Sequence, residues 1–144
     1  GSEHASAAML WAADEAEQLG VPLTVVCAAP SDAGTSAWLP SPVDFDDLRG
    51  EVRAALDACV AWLRSHFPTL EITGELVDGS PIDVLVERSA RNQLVVTGTR
   101  GRGGFAGMLL GSTSQGVLHN CTGPSMIVPG FQDPRLSDRP HVAV

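Results

Sequence analysis

The residues best suited to chemistry lie in a glycine-rich stretch near position 100. Three of its glycines, Gly98, Gly101 and Gly111, have the spacing G-x2-G-x9-G, and two hydroxyl residues, Ser112 and Thr113, follow directly. Glycine lets a backbone approach an anion closely, and successive amide groups can form a concave nest of partial positive charge. Hydroxyl groups can donate to phosphate oxygens or ligate a hydrated Mg2+. The stretch therefore predicts a phosphate-binding turn built mainly from backbone donors.

The charge distribution favours an anion in the same part of the chain. Although the net charge is -8, no carboxylate lies between Glu87 and Asp133, and four of the nine basic residues fall there. All nine are arginine, so no lysine is present for a Walker-type phosphate site or a Schiff base. The acidic total argues against binding nucleic acid or an anionic membrane surface, since both need a basic face. The alternative is that a tight turn and a buried helix simply exclude acidic residues.

Two other interpretations fit the same glycines. Gly101-x-Gly103-x-x-Ala106 satisfies the dinucleotide fingerprint G-x-G-x-x-G/A. That fingerprint needs an acid about 20 residues further on for the ribose hydroxyls, and the next carboxylate is Asp133. Alternatively, the glycines serve only to pack a helix against a strand.

The elements that must position this turn alternate between helix and strand. Apolar spacing predicts a helix that ends at Gly20 and a buried strand from Leu23 to Ala29. A long polar loop follows at 30–42, and it either covers a site as a lid or is a mobile surface loop. Further along, the patterns predict helices at about 44–66, 82–90 and 108–120 and strands at 70–77, 94–97 and 125–128. Such alternation predicts an α/β fold with a parallel sheet and helices on both faces.

The chain resembles the ATP-binding branch of the universal stress protein family. The glycine turn reproduces the family's G-x2-G-x9-G-[ST] signature, and Val77–Pro81 is similar to its G-x-P turn. The resemblance implies a three-layer α/β/α fold, a five-stranded parallel sheet in the order 3-2-1-4-5, and ATP as ligand, with or without Mg2+. The residues that it implies as nucleotide contacts are Ala28 at the adenine, Thr97 and Gly98 at the ribose, and Gly101, Arg102, Gly111, Ser112 and Thr113 at the phosphates.

The resemblance also raises the question of the first strand. In the family this strand ends in an aspartate that contacts the nucleotide, and both would precede Gly1, because Gly1-Ser2 is similar to the end of the turn that follows. A cloning scar is the alternative origin of these two residues. Residues 139–144 resemble such a first strand, so we expect them to lie parallel between the strands at 23–29 and 94–97, contributed by this molecule or a neighbouring one.

The predicted organisation is therefore a universal stress protein domain at 1–130 that lacks its first strand, a linker at 131–138, and a strand at 139–144. The resemblance further implies tandem copies, with this chain as one domain of a bacterial tandem protein. The last strand of the domain, Ser125–Val128, is apolar and falls at a sheet edge in the implied order. We expect it to pair with a second copy or with a tandem sister domain.

No set of side chains indicates an enzyme with its own catalytic groups. The sequence has no G-x-S-x-G elbow, its four histidines lack metal-ligand spacing, and its three cysteines are too widely spaced for a zinc site or a disulfide framework. We therefore predict an ATP-binding regulatory or signalling module of the stress response, with hydrolysis slow or absent. The alternatives are a nucleotide-free structural or dimerisation module of the same fold and a slow ATP hydrolase. Without an apolar run of roughly twenty residues or a signal peptide, a cytoplasmic location is expected.

Overall fold

The computed structural model describes residues 2–29, 45–91, 93–101 and 109–140, and these alternate between helix and strand as predicted. The predicted loop at 30–42 lies outside the described residues, as do Arg102 and the strand residues 141–144. In chain order the elements are α1 (Glu3–Leu19), β1 (Leu23–Ala29), α2 (Phe45–His66), β2 (Ile72–Asp78), α3 (Pro81–Ser89), β3 (Val95–Gly98), α4 (Ser112–Asn120), β4 (Ser125–Val128) and a 3-10 helix (Pro134–Asp138).

Local sequence signals set most of the helix ends. Ser2 caps α1 by accepting the Ala5 N–H, and Gly20 ends the helix in the left-handed conformation, φ 66°, that glycine adopts without strain. Pro81 occupies the first turn of α3, where its missing N–H costs nothing. The predicted start of α4 at position 108 is wrong: Leu109 and Leu110 form a bend, and the helix begins at Ser112 because Gly111 is its extended N-cap.

The strands form two parallel pairs. β1 pairs with β2 from Leu23 opposite Ile72 onward, and β3 pairs with β4 from Val95 opposite Ser125 onward. Within the described ranges no strand joins one pair to the other. In the implied order 3-2-1-4-5, which counts the family's first strand as 1, β1, β2, β3 and β4 correspond to strands 2, 3, 4 and 5. Both observed pairings, 2 with 3 and 4 with 5, occur in that order, whereas the complete five-stranded order stays a prediction.

The helices lie on both sides of the strands. Gly74 of β2 faces α2, because a Cβ there would lie 2.9 Å from Val60. The next residue, Glu75, forms a salt bridge with Arg88 of α3. Successive side chains of a strand point to opposite faces, so α2 and α3 lie on opposite sides of β2. α1 contacts α2, and α3 contacts α4, which gives the described part of the chain a layered α/β/α arrangement.

The main core lies between α1, α2 and the β1–β2 pair. Leu10 of α1 and Leu63 of α2 expose no surface, and Phe67 and Ile72, each 2% exposed, belong to the same cluster. Burying each such side chain contributes about 1.5–3 kcal/mol. Within the described residues no helix is both long and apolar enough to cross a bilayer.

The stretch predicted to be a linker packs against this core. Leu136 of the 3-10 helix is only 5% exposed and belongs to the core cluster. Arg135 donates to both carboxylate oxygens of Asp14 in α1, at 2.8 and 2.9 Å, and also pairs with Asp133. Its guanidinium lies 5.7 Å from the centre of the Phe67 ring. Residues 133–138 are therefore anchored to α1, although the domain boundary at 130 stays a prediction.

A second close contact joins α3 to the turn before β4. The buried Ser89 hydroxyl accepts the Thr122 N–H at 3.2 Å and donates to the Val86 carbonyl. A Cβ at Gly123 would lie 2.0 Å from the Ser89 carbonyl oxygen. Only glycine fits at position 123 without moving the backbone.

Candidate functional site

The two ends of the glycine turn are joined at its base. The Gly111 N–H donates to the Thr99 carbonyl at 2.7 Å, and the buried Ser114 hydroxyl donates to the carbonyls of Gly98 at 2.7 Å and Thr99 at 3.2 Å. A Cβ at Gly111 would lie 3.5 Å from the Gly101 nitrogen. The predicted phosphate residues on the two sides of the turn are thus brought side by side.

Side chains at the start of α1 also bind Thr99 and Arg100 at the base of the glycine turn. The Ser2 hydroxyl donates to the Arg100 carbonyl at 3.0 Å. The Nδ1 atom of His4 lies 3.1 Å from the Thr99 hydroxyl and accepts the Gly130 N–H at 3.1 Å. Three side chains that the sequence did not single out as site residues, Ser2, His4 and Ser114, therefore hold Thr99 and Arg100.

The start of α4 has the electrostatic character that an anion needs. Its N-cap, Gly111, supplies no side chain, and no acidic residue stands in the first turn. Ser112 is exposed and Thr113 is half-buried. The free amide groups and the positive end of the helix dipole favour a negatively charged ligand at this point.

The glycines of the turn have different structural roles. A Cβ at Gly98 would lie 2.5 Å from the His4 carbonyl oxygen, so this glycine lets α1 approach β3. Among the described residues, a Cβ at Gly101 would meet nothing within 4 Å, so the backbone of this exposed residue faces space that none of them fills. Close packing accounts for Gly98, whereas no neighbour within the described ranges accounts for the glycine at 101.

Two buried polar atoms in this region have no hydrogen-bond partner among the described residues, Thr97 Oγ1 and Arg100 Nε. Because side chains alternate along β3 and Gly98 faces α1, the Thr97 side chain points to the opposite face. An unpaired buried donor or acceptor costs about 1–3 kcal/mol, so a partner for Arg100 Nε would stabilise the turn.

The implied adenine contact, Ala28, lies on the other strand pair. It is half-buried near the carboxyl end of β1, opposite Val77. α1 starts beside Gly98 and ends just before β1, so β1 runs back toward the side on which the glycine turn lies. The structure thus brings Gly98, Gly101, Gly111, Ser112 and Thr113 into one turn, with Ala28 at the end of a strand that runs toward it.

Neither Cys27 nor Cys59 is an activated thiol, and the described residues offer no group of metal ligands. Burial raises the pKa of Cys27 and Cys59, which disfavours the reactive thiolate. Within the described ranges, no three His, Cys, Asp or Glu side chains gather where they could hold a metal ion.

Several solved structures share this fold. UspA from Lactobacillus plantarum superposes with a TM-score of 0.74 at 18% identity, over 89% of this chain and 91% of that one. The universal stress protein from Archaeoglobus fulgidus in complex with dAMP gives 0.66 at 23% identity, over 89% and 90%. A universal stress protein in complex with cAMP gives 0.56 at 22% identity, over 90% of each chain.

Sequence comparison extends this likeness to the level of family. Universal stress protein Rv2005c of Mycobacterium tuberculosis is 38% identical over 127 residues, which are 88% of this chain and 42% of that protein. The chain thus spans less than half the length of this curated relative. The sequence profile of the universal stress protein family matches residues 1–129. With fold, glycine turn and profile in agreement, the chain belongs to the universal stress protein family.

Proposed function

We propose that this chain binds an adenine nucleotide, with ATP as the natural ligand, and acts as a regulatory module of the stress response. The observation that carries the proposal is the open backbone face of Gly101 beside the start of α4. These two features present backbone donors to the same space, and no described side chain occupies it. Related structures in complex with dAMP and cAMP support an adenine nucleotide as the ligand class.

In this proposal the phosphates lie against Gly101, Gly111, Ser112 and Thr113. Arg102, outside the described residues, supplies a cation, and Arg100 Nε is a donor at the base of the turn that has no partner among the described residues. Ala28 borders the adenine, and Thr97 and Gly98 border the ribose. Since Gly98 faces α1 and Thr97 points to the opposite face, their contribution to the ribose comes from the backbone.

A Mg2+ ion would accompany ATP through its phosphates. The hydroxyls of Ser112 and Thr113 are the oxygen ligands that the turn offers, and Mg2+ keeps most of its waters in such sites. Because the sequence has no carboxylate from position 88 to 132, the turn has no acidic general base. We therefore propose that ATP is held rather than hydrolysed, with slow hydrolysis as the alternative.

Isothermal calorimetry with ATP tests the proposal. We expect a dissociation constant well below about 1 mM for the wild type, and weaker binding by about tenfold or more in Gly101→Ala, whose methyl group enters the proposed phosphate space. Gly50→Ala is the matched control, because a Cβ on this α2 glycine also meets nothing within 4 Å. Equal affinity of the two variants, or no binding by the wild type, would reject the proposal.

A second candidate function, assembly with another copy or a sister domain, rests on β4. Met126 of this strand is 41% exposed, and β4 pairs only with β3 among the described strands. The curated relative's greater length favours a sister domain as one such partner. Light scattering tests self-association: we expect a dimer for the wild type at tens of micromolar and a monomer for Met126→Lys, since edge lysines block strand pairing.

A further inference from the structure

His4 joins three separate parts of the molecule through one nitrogen atom. It stands in the first turn of α1, and its Nδ1 lies 3.1 Å from the Thr99 hydroxyl and 3.1 Å from the Gly130 nitrogen. The contact is close on all sides: a Cβ at Gly130 would lie 3.0 Å from Nδ1, and a Cβ at Gly98 would lie 2.5 Å from the His4 carbonyl. The imidazole therefore fills the space between α1, the end of β3 and the exit of β4.

The bond from Gly130 fixes the protonation of this ring. A backbone N–H can only donate, so Nδ1 must be an unprotonated acceptor, and the Thr99 hydroxyl must then donate to the same atom. The neutral ring carries its proton on Nε2. A second proton on Nδ1 would remove the hydrogen bond from Gly130 and set two N–H groups against each other, and the Thr99 hydroxyl would have to turn from donor to acceptor.

Thr99 connects the His4 ring to the start of α4 through hydrogen bonds. Its carbonyl accepts the Gly111 N–H and the Ser114 hydroxyl, the two bonds that close the glycine turn. A shift of Thr99 would therefore change the distance between Gly101 and the amide groups of α4.

We propose that His4 is a positioning residue for the nucleotide site and performs this role only while its imidazole is neutral. The inference rests on the proposed function, since it concerns the affinity of the same turn. It predicts that acidification weakens nucleotide binding through His4, although an imidazolium near phosphate groups would by itself attract them.

The surroundings of His4 supply little charge that could compensate for the added proton. β3, Thr99 and the stretch 125–130 carry no ionisable side chain. The nearest charged residues along the chain are Glu3 on α1, Arg100 after Thr99, and Asp133 after Gly130, the last already paired with Arg135. Glu3 is exposed to solvent, which screens its attraction for an imidazolium.

The test uses His4→Asn with His119→Asn as its control. The Asn carboxamide oxygen takes the place of Nδ1 as an acceptor but gains no proton in the pH range of a histidine. The Nδ1 of His119 lies 2.8 Å from the Gln115 carbonyl and therefore donates, so protonation leaves that bond intact. ATP dissociation constants are measured for all three proteins at about pH 7.5 and about pH 5.5.

Between the higher and the lower pH we expect the affinity of the wild type and of His119→Asn to fall about fivefold further than that of His4→Asn, because the protonated ring of His4 loses the Gly130 hydrogen bond and repels that N–H. The titration of ATP itself is common to all three proteins and cancels in this comparison. Nitrogen chemical shifts of the His4 ring, recorded without ligand, should show the proton on Nε2. His4→Ala, which lacks the acceptor, should bind weakly at both pH values while its unfolding temperature reports whether it folds.

The outcomes separate this inference from the proposed function. If the wild type binds ATP but its pH dependence matches that of His4→Asn, the positioning role is wrong and nucleotide binding stands. Tighter binding at low pH that His4→Asn abolishes would assign His4 a direct attraction to phosphate, which also overturns the positioning role. A proton on Nδ1 at neutral pH would contradict the geometry itself, and no binding by the wild type would remove the proposed function and this inference together.

Discussion

The hydroxyl of Ser2 donates a hydrogen bond to the carbonyl of Arg100 at 3.0 Å, across 98 positions of sequence. The same oxygen accepts the Ala5 N–H and so caps α1. One side chain therefore fixes both the start of a helix and the base of the glycine turn. The candidate site depends on α1 as much as on the strand and helix between which the turn lies.

Gly98→Ala should impair folding, whereas Gly101→Ala should not. The new methyl group at position 98 would lie 2.5 Å from the backbone oxygen of His4, which cannot move away without displacing α1 from β3. We expect a loss of about 1–3 kcal/mol in the free energy of unfolding, as for overpacking elsewhere. Urea unfolding of both variants checks this; equal stability would show that α1 adapts to the methyl group.

Ser114→Ala should lower both stability and nucleotide affinity. Its buried hydroxyl donates to the carbonyls of Gly98 and Thr99, and removing a partner of buried groups costs about 1–3 kcal/mol. Ser65→Ala is the control, because Ser65 donates to one helix carbonyl and is exposed. Thermal unfolding and ATP titration of the two variants should differ; a normal Ser114→Ala protein would mean that the turn closes without this bond.

Acid should weaken the ion pair between Asp133 and Arg135 that supports the 3-10 helix. Hydrogen bonds from Arg135 lower the pKa of Asp133 from 3.8 to about 2, so the pairing stabilises the fold above the unfolded pKa and is lost as pH falls from about 4 toward 2. Arg135→Met should therefore lower the unfolding temperature at neutral pH, and its difference from wild type should shrink over that interval. Arg53→Met, which removes an exposed pair with Asp57, should show little difference at any pH. A constant difference for Arg135→Met would contradict the assignment.

The prediction that residues 139–144 lie between β1 and β3 can be checked by amide hydrogen exchange. If the tail fills that position, removing residues 141–144 should speed exchange by about tenfold or more at amides of β1 and β3 that do not point toward β2 or β4. Val25 and Val95 lie on the two strands concerned. Amides on the paired edges are the internal control, and unchanged rates everywhere would exclude the tail from this position.

Sequence patterns predicted the elements whose limits depend on nearby residues. Gly20 ends α1 as predicted, and the helix predicted at about 82–90 begins one residue earlier, at Pro81, whose fixed backbone angle suits a first helical turn. The start of α4 was misplaced because the apolar Leu109 and Leu110 fit a helix, whereas Gly111 determines where the first turn begins. The 3-10 helix was missed, although Asp133 before Pro134 is a capping signal, because so short a helix has no apolar period.

The parts of the site that were missed depend on contacts between distant positions. Nothing in the neighbourhood of His4 indicates that its ring meets Thr99, 95 positions away. The spacing of the glycines predicted one phosphate turn but gave no means of separating Gly98, which serves packing, from Gly101, which faces open space. That distinction needs the position of α1.

The contact between Gly123 and Ser89 affects how variation among relatives should be interpreted. Any side chain at position 123 would overlap the Ser89 carbonyl, so selection for folding alone should keep glycine there in relatives that share this turn. Gly101 should be kept for a different reason, because a ligand rather than the protein would occupy the space beside it. A relative that has lost nucleotide binding should therefore retain glycine at position 123, whereas position 101 should change to other residues.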